Sequence, residues 1–222
     1  MKLLLTSGGI NNPSIENALL ELLGKPFSEC NALVVPTATY AHPHAGPRQA
    51  WKTVSGNEHR SALVGFDWKT IGILELTALP SLGEDRWLPL LRETDVLLVD
   101  GGDSAYLCHW VRESGLADVL PTLPDLVWVG VSAGSMVATP RTGMDFITWH
   151  PENGDRMLGW VDFSICPHIA EPGQPGNTME EAEEWAAGIE GPAYAVDDQT
   201  AFKVVDGKVE VVSEGTWKLL HA

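Results

Sequence analysis

The stretch Leu126-Val127-Trp128-Val129-Gly130-Val131-Ser132-Ala133-Gly134-Ser135-Met136-Val137-Ala138 constrains this chain more than any other. A run of β-branched and aromatic residues between a Pro-Asp turn and a glycine reads as a buried strand, and the small residues after Ser132 start a helix packed closely against it. Gly-x-Ser-x-Gly sits at the join. In such a strand-to-helix elbow the middle serine occupies a tight turn at the end of the sheet, and the flanking glycines remove Cβ atoms that would clash. The helix N-terminus below it offers free N–H groups and a positive dipole end, which suit a developing oxyanion. Ser132 is therefore the candidate nucleophile.

The rest of the chain agrees with an α/β context. Leu3 to Thr6 reads as a first strand, followed by the flexible turn Ser7-Gly8-Gly9, where a ligand or neighbouring backbone can approach. Asn12-Pro13 starts a helix with Ile15, Leu19, Leu22 and Leu23 at helical spacing, ended by Gly24 and Pro26. Asn31 to Pro36 is a second strand, and this alternation calls for parallel pairing through helical crossovers. Further expectations are a helix within 48–64, a strand over 68–76, a short helix through Trp87, Leu90 and Leu91, a helix over 177–188 and short strands over 193–196, 201–205, 209–212 and 216–220. Asp206-Gly207 marks a hairpin between two of these strands. His42, His44 and His59 fall in a segment with prolines and no carboxylate cluster, so a loop is expected there and not a zinc site.

With 222 residues, 44% of them hydrophobic and 20% charged, one globular domain over 1–222 is expected. No segment approaches the roughly 20 apolar residues of a membrane helix, and the apolar start is too short for a signal peptide, so a cytoplasmic location is expected. Three widely spaced cysteines, Cys30, Cys108 and Cys166, fit free thiols. The net charge of −16 repels nucleic acid and anionic membranes alike.

Two further stretches carry chemistry. Val96 to Val99 is a strand that ends in Asp100-Gly101-Gly102, with Asp103 or Ser104 capping the helix that follows. Glycines at a strand's C-terminal end leave backbone N–H groups bare where ligands bind in open α/β sheets, so one of them, with that of Ala133, can form a two-donor oxyanion hole. The run Phe163-Ser164-Ile165-Cys166-Pro167-His168 delivers a histidine at a strand end. Ser132, Asp145 and His168 then follow in an order that suits nucleophile, orienter and base.

Taken together, Val99-Asp100-Gly101-Gly102-Asp103-Ser104, Gly130-Val131-Ser132-Ala133-Gly134-Ser135 and Cys166-Pro167-His168 resemble the peptidase E family of serine peptidases, which includes aspartyl dipeptidases and, more distantly, cyanophycinases. The resemblance covers essentially the whole chain and is strongest from Thr94 to Ala170. It implies a flavodoxin-like, mostly parallel sheet with helices on both faces, related to class I glutamine amidotransferases. It further implies Ser132 as nucleophile, His168 as general base, Gly102 and Ala133 as oxyanion donors, and Asp145 as the acid after the Arg141-Thr142 pair, with Asp198 as the rival acid. Gly101, Arg141 and Met179 are the expected substrate contacts. Aspartyl dipeptidases of the family carry an arginine after the histidine that grips the substrate's carboxylate; here Gly176-Asn177-Thr178-Met179-Glu180 has Met179 in its place. A thioether cannot neutralise a carboxylate, so preference for aspartate is expected to be weak.

The expected activity is hydrolysis of small peptides, of dipeptidase or exopeptidase type, through an acyl-enzyme and without metal or organic cofactor. A small peptide is the expected partner, with a homodimer open as an alternative to a monomer. An esterase on the α/β-hydrolase fold also carries Gly-x-Ser-x-Gly, but the gaps from Ser132 to Asp145 and His168 are too short for its intervening elements. A glutaminase is disfavoured by serine in place of a thiolate. The rival from another class is an amidotransferase-like binding domain without a working triad.

Overall fold

The computed structural model describes residues 1–56, 62–149, 154–170 and 177–221; His59 and Gly176 lie outside them. β1 (Lys2–Thr6) leads into α1 (Pro13–Leu23), where the Asn12 side chain accepts from the Ile15 N–H and Gly24, at φ 69°, ends the helix. Next come β2 (Asn31–Val35), α2 (Pro47–Ser55), β3 (Thr70–Ile73), α3 (Glu84–Arg92), β4 (Val96–Val99), α4 (Ser104–Glu113) and α5 (Leu116–Val119). The elbow is β5 (Val127–Val131) followed by α6 (Ala133–Met136), a single turn. The chain closes with β6 (Ser164–Cys166), α7 (Met179–Ala186), β7 (Ala193–Val196), β8 (Thr200–Val205), β9 (Lys208–Ser213) and β10 (Trp217–His221).

Seven strands form one sheet in the order β3-β2-β4-β5-β1-β8-β9; the first five are mutually parallel, and at one end β8 pairs antiparallel with β1 and β9 antiparallel with β8. The stretch β3-β2-β4-β5 keeps the 2-1-3-4 order of a flavodoxin-like sheet, and β1 takes the fifth place. Strand alternation divides the core into two layers. Leu3, Leu5, Leu97, Val99 and Trp128 pack on one face with Leu107 and Val111 of α4, while Leu4, Leu98, Val127 and Val129 pack on the other with Ile15, Leu19 and Leu22 of α1. Helices therefore cover both faces, as the sequence implied.

A second sheet, β10-β7-β6, stands beside the first. An aromatic trio joins them: Phe163 and Tyr194 lie with ring centroids 4.8 and 5.0 Å from Phe202 of β8, which is fully buried. Local signals hold at most boundaries. Asp206 and Gly207 take positive φ of 49° and 79° in the β8–β9 hairpin, as a type I′ turn requires. The helix within 48–64 is shorter than its periodicity, because Gly56 takes φ 64° and stops it. The strand over 68–76 contracts to β3, since Trp68 packs with Phe27 and Phe66 and leaves the ladder.

Candidate active site

The C-terminal ends of β1, β2, β4 and β5 meet at one edge of the large sheet, where open α/β sheets bind ligands. Ser132 sits there with φ 50° and ψ −112°, a conformation rare for a residue with a side chain. Such a residue costs of order 1–3 kcal/mol and persists only where its surroundings fix it. They do so here: the Ser132 N–H donates to the Thr6 and Ser7 carbonyls at 3.1 and 3.2 Å, and the Ser135 hydroxyl donates to Thr6 O at 2.7 Å. Both glycines of the motif are required by contact. A Cβ on Gly130 would lie 2.2 Å from Gly134 O, and one on Gly134 would lie 2.3 Å from Val99 O.

His168 follows β6 of the small sheet, and Asp198 lies in the turn between β7 of the small sheet and β8 of the large one. His168 Nδ1 lies 2.6 Å from Asp198 Oδ1. The same oxygen accepts from the Ser7 hydroxyl at 2.6 Å, and Ser7 Oγ in turn accepts from the His168 N–H at 2.8 Å. His168 also has positive φ, 60°, held by that bond. Ser7, 1% exposed, is a residue that the sequence reading passed over as part of a flexible turn. A serine followed by two glycines at the end of the first strand was the available signal, and nothing local linked it to residues 168 and 198.

Ser132 and His168 line one cavity of about 560 Å³, together with Thr39, His42, Asp100, Gly101, Gly102, Asp145 and Phe146 among others. No hydrogen bond joins Ser132 Oγ to the ring; contacts between a candidate nucleophile and its base commonly tighten when substrate binds. Asp145, the acid placed first from the sequence, lies in a 3₁₀ turn, Met144–Phe146, at the cavity rim. It is exposed and makes no described hydrogen bond to His168, so the ring's carboxylate partner is the rival, Asp198. Chain order alone did not distinguish them, because the β7–β8 turn reaches the ring only once the two sheets have docked.

The backbone donors divide cleanly. The Gly101 N–H donates to Asp100 Oδ1 at 2.9 Å, whereas those of Gly102 and Ala133 have no acceptor among the described residues. Gly102 takes φ 144°, and a Cβ there would lie 2.2 Å from the Ala38 carbonyl, so glycine alone fits.

The expected substrate contacts fare differently. Gly101 lines the cavity, but its N–H is occupied. Met179 packs with the small cluster of Cys166, Ile169 and Trp185 and is not among the residues that line the Ser132 cavity. Arg141 lies in a neighbouring cavity of about 570 Å³ that shares Asp145, Phe146 and Asn177 with the first. Its guanidinium is committed: Nη2 donates to Asp155 Oδ1 at 2.8 Å, and Nε lies 3.0 Å from Oδ2. Burial of Asp155 favours its neutral form, but Arg141 and the Gly143 N–H outweigh that and hold the carboxyl below its ordinary range. Cys166, in the same cavity, is pushed up to about 12, first by burial and then by Glu181 and Asp145, and is an unreactive thiol.

The profile of peptidase family S51 matches residues 3–212. Peptidase E of Nostoc sp. (strain PCC 7120 / SAG 25.82 / UTEX 2576) is 24% identical over 189 residues, covering 81% of this chain and 69% of its own. The fold is similar to that of a candidate peptidase E protein from Listeria monocytogenes EGD-e, with a TM-score of 0.67 and 16% identity over 96% of this chain and 98% of that one. A peptidase from an acI-B1 Actinobacterium has a TM-score of 0.65 and 16% identity, over 99% of this chain and 90% of its own.

Proposed function

Because the chain belongs to peptidase family S51 and is a serine-type peptidase, we propose that it hydrolyses short peptides, as a dipeptidase or exopeptidase, with Ser132 as nucleophile, His168 as base and Asp198 as the acid behind the ring. The observation that carries this reading is the 2.6 Å contact between His168 Nδ1 and Asp198 Oδ1, made by a ring that shares a cavity with Ser132. A carboxylate on Nδ1 fixes the tautomer in which Nδ1 carries the proton and Nε2 is free to accept one.

In this reading Nε2 takes the Ser132 proton as Oγ attacks the scissile carbonyl. The oxyanion accepts from the free N–H groups of Gly102 and Ala133, each contributing about 3–4 kcal/mol to the transition state. The imidazolium then protonates the leaving amine, and water, deprotonated by the same ring, hydrolyses the ester. A cavity of about 560 Å³ suits a short peptide. Its described lining contains Asp100, Asp103 and Asp145 but neither lysine nor arginine, so an aspartate side chain would find no cation there. Arg141 does not remedy this, since Asp155 already holds it.

A fluorophosphonate probe tests the chemistry: Ser132 labels in the wild-type protein, and label is lost in Ser132→Ala and His168→Ala. Unimpaired labelling of Ser132→Ala would refute the assignment. A panel of Xaa-Leu dipeptides tests the specificity. Asp-Leu should be cleaved no more than roughly threefold faster than Ala-Leu, whereas a bidentate arginine grip would give tenfold or more.

A further inference from the structure

We propose that Asp100 works as a neutral carboxylic acid that donates to Thr39 and thereby aims the Gly102 N–H at the oxyanion, so that the enzyme loses activity as Asp100 ionises. It is a positioning residue, and the proposal rests on the reading above that Gly102 is an oxyanion donor.

The argument starts from one hydroxyl with two partners. Thr39 Oγ1 lies 3.0 Å from Asp100 Oδ2 and 2.9 Å from Gly101 O. Threonine carries a single hydroxyl proton, and a peptide carbonyl can only accept. With Asp100 ionised, the two acceptors compete for that proton and one contact goes unmade. With Asp100 protonated, Oδ2–H donates to Thr39 Oγ1 while Thr39 donates to Gly101 O, and both contacts are satisfied at once. The other carboxyl oxygen, Oδ1, accepts from the Gly101 N–H in either case.

The surroundings favour the neutral form. Asp100 follows β4, hydrogen-bonds with Thr39 and Thr53, and shares its cavity with the titratable groups His42, Asp103, Asp145 and His168. Among the described lining residues no lysine or arginine is present, and the His168 ring is already paired with Asp198. Asp103, which lines the same cavity, is committed to the N–H groups of Tyr106, Thr148 and Trp149 and to the Thr148 hydroxyl, and brings Asp100 no positive charge. Burial raises the Asp100 carboxyl above its ordinary range, and hydrogen bonds from Thr53, Gly101 and Thr39 offset part of that.

The consequence for catalysis follows from the planar trans peptide. Gly101 C=O and Gly102 N–H belong to one rigid unit and point in opposite directions. A hydroxyl that grips the carbonyl therefore sets the direction of the donor.

The test is the rate of Ser132 labelling by a fluorophosphonate from about pH 6 to pH 10, in the wild-type protein, Asp100→Asn and Asp100→Ala. The amide of Asp100→Asn accepts from Gly101 N–H and donates to Thr39, as the neutral acid does, but cannot ionise. Wild-type labelling should fall at alkaline pH as Asp100 ionises. Asp100→Asn should keep the wild-type maximum within about threefold and lose the alkaline fall, while Asp100→Ala should be slower by roughly 10–100-fold at every pH, chiefly in the bond-forming step and not in probe binding. If Asp100→Ala does not fold, Thr39→Val, which breaks the relay and leaves Asp100 in place, should give the same loss. Asp100→Asn as slow as Asp100→Ala, or retaining the alkaline fall, overturns the proposal while Ser132 labelling keeps the peptidase reading standing. A wild-type protein that shows no alkaline fall overturns it equally, and one that does not label overturns both.

Discussion

At Asp198 a single carboxylate oxygen takes two short hydrogen bonds, from His168 Nδ1 and from the Ser7 hydroxyl. Asp198→Asn should therefore lower kcat by roughly 10³–10⁴, because an amide nitrogen turned to Nδ1 enforces the wrong tautomer. Asp145→Asn should stay within about threefold, and steady-state kinetics on any cleaved dipeptide separates the two. Asp155 supports the loop after the elbow, accepting from Arg141 and the Gly143 N–H. A carboxyl held below its ordinary value contributes stability above the unfolded pKa of about 4, and that contribution fades as pH falls through the folded value. Asp155→Asn should thus melt well below the wild-type protein at pH 7, with the gap narrowing at about pH 3. An unchanged gap would mean that the charge of this pair adds nothing, and only its shape matters.

At the scale of elements, the elbow is held by backbone contacts that tolerate no methyl group. Gly134→Ala would drive a Cβ into the carbonyl of Val99 at the end of β4, where neither strand nor turn can retreat. Overpacking against backbone should cost about 3 kcal/mol or more, seen in a denaturation midpoint, with loss of labelling in whatever folds. The elbow was legible from the sequence for the same reason: strand, glycine, serine and glycine are adjacent in the chain, and their geometry is decided locally. α7 was legible too, since Thr178 and Glu181 form a capping box at its start. α6 shows where such reading ends. Its small residues favour a helix, yet it stops after Met136 as the chain turns back toward the sheet, with the Leu158 N–H donating to Val137 O and that of Trp160 to Ala138 O.

At the scale of the molecule, the site lies on a seam. The large sheet presents Ser132, Gly102 and Ala133 at its edge, the small sheet presents His168, and Asp198 lies in the turn that joins β7 of the small sheet to β8 of the large one. Phe202 is the fully buried centre of the aromatic trio that joins them. Phe202→Ala should cost about 3–5 kcal/mol, and at temperatures where the variant remains folded it should also lower kcat, because the ring of His168 is carried by the sheet that loosens. Leu4→Ala, in the core layer of α1 away from the seam, should destabilise by about 2–5 kcal/mol and leave the kcat of the folded fraction near wild type. Equal effects of the two on kcat would show that docking of the sheets does not govern the site.

By itself the sequence determined what short-range chemistry can encode: an α/β chain with alternating strands and helices, the glycine-flanked Ser132 at a strand-to-helix corner, a glycine pair at the end of β4 and a histidine at the end of β6. Only the tertiary structure decided which carboxylate stands behind His168, that Ser7 ties His168 and Asp198 together, that Arg141 is spent on Asp155, and that Gly101 and Gly102 differ in the freedom of their N–H groups. The physical reason is the same in each case. A hydrogen bond is decided within about 3 Å in space, and residues 7, 168 and 198 come that close only after the folding of both sheets and their docking through Phe202.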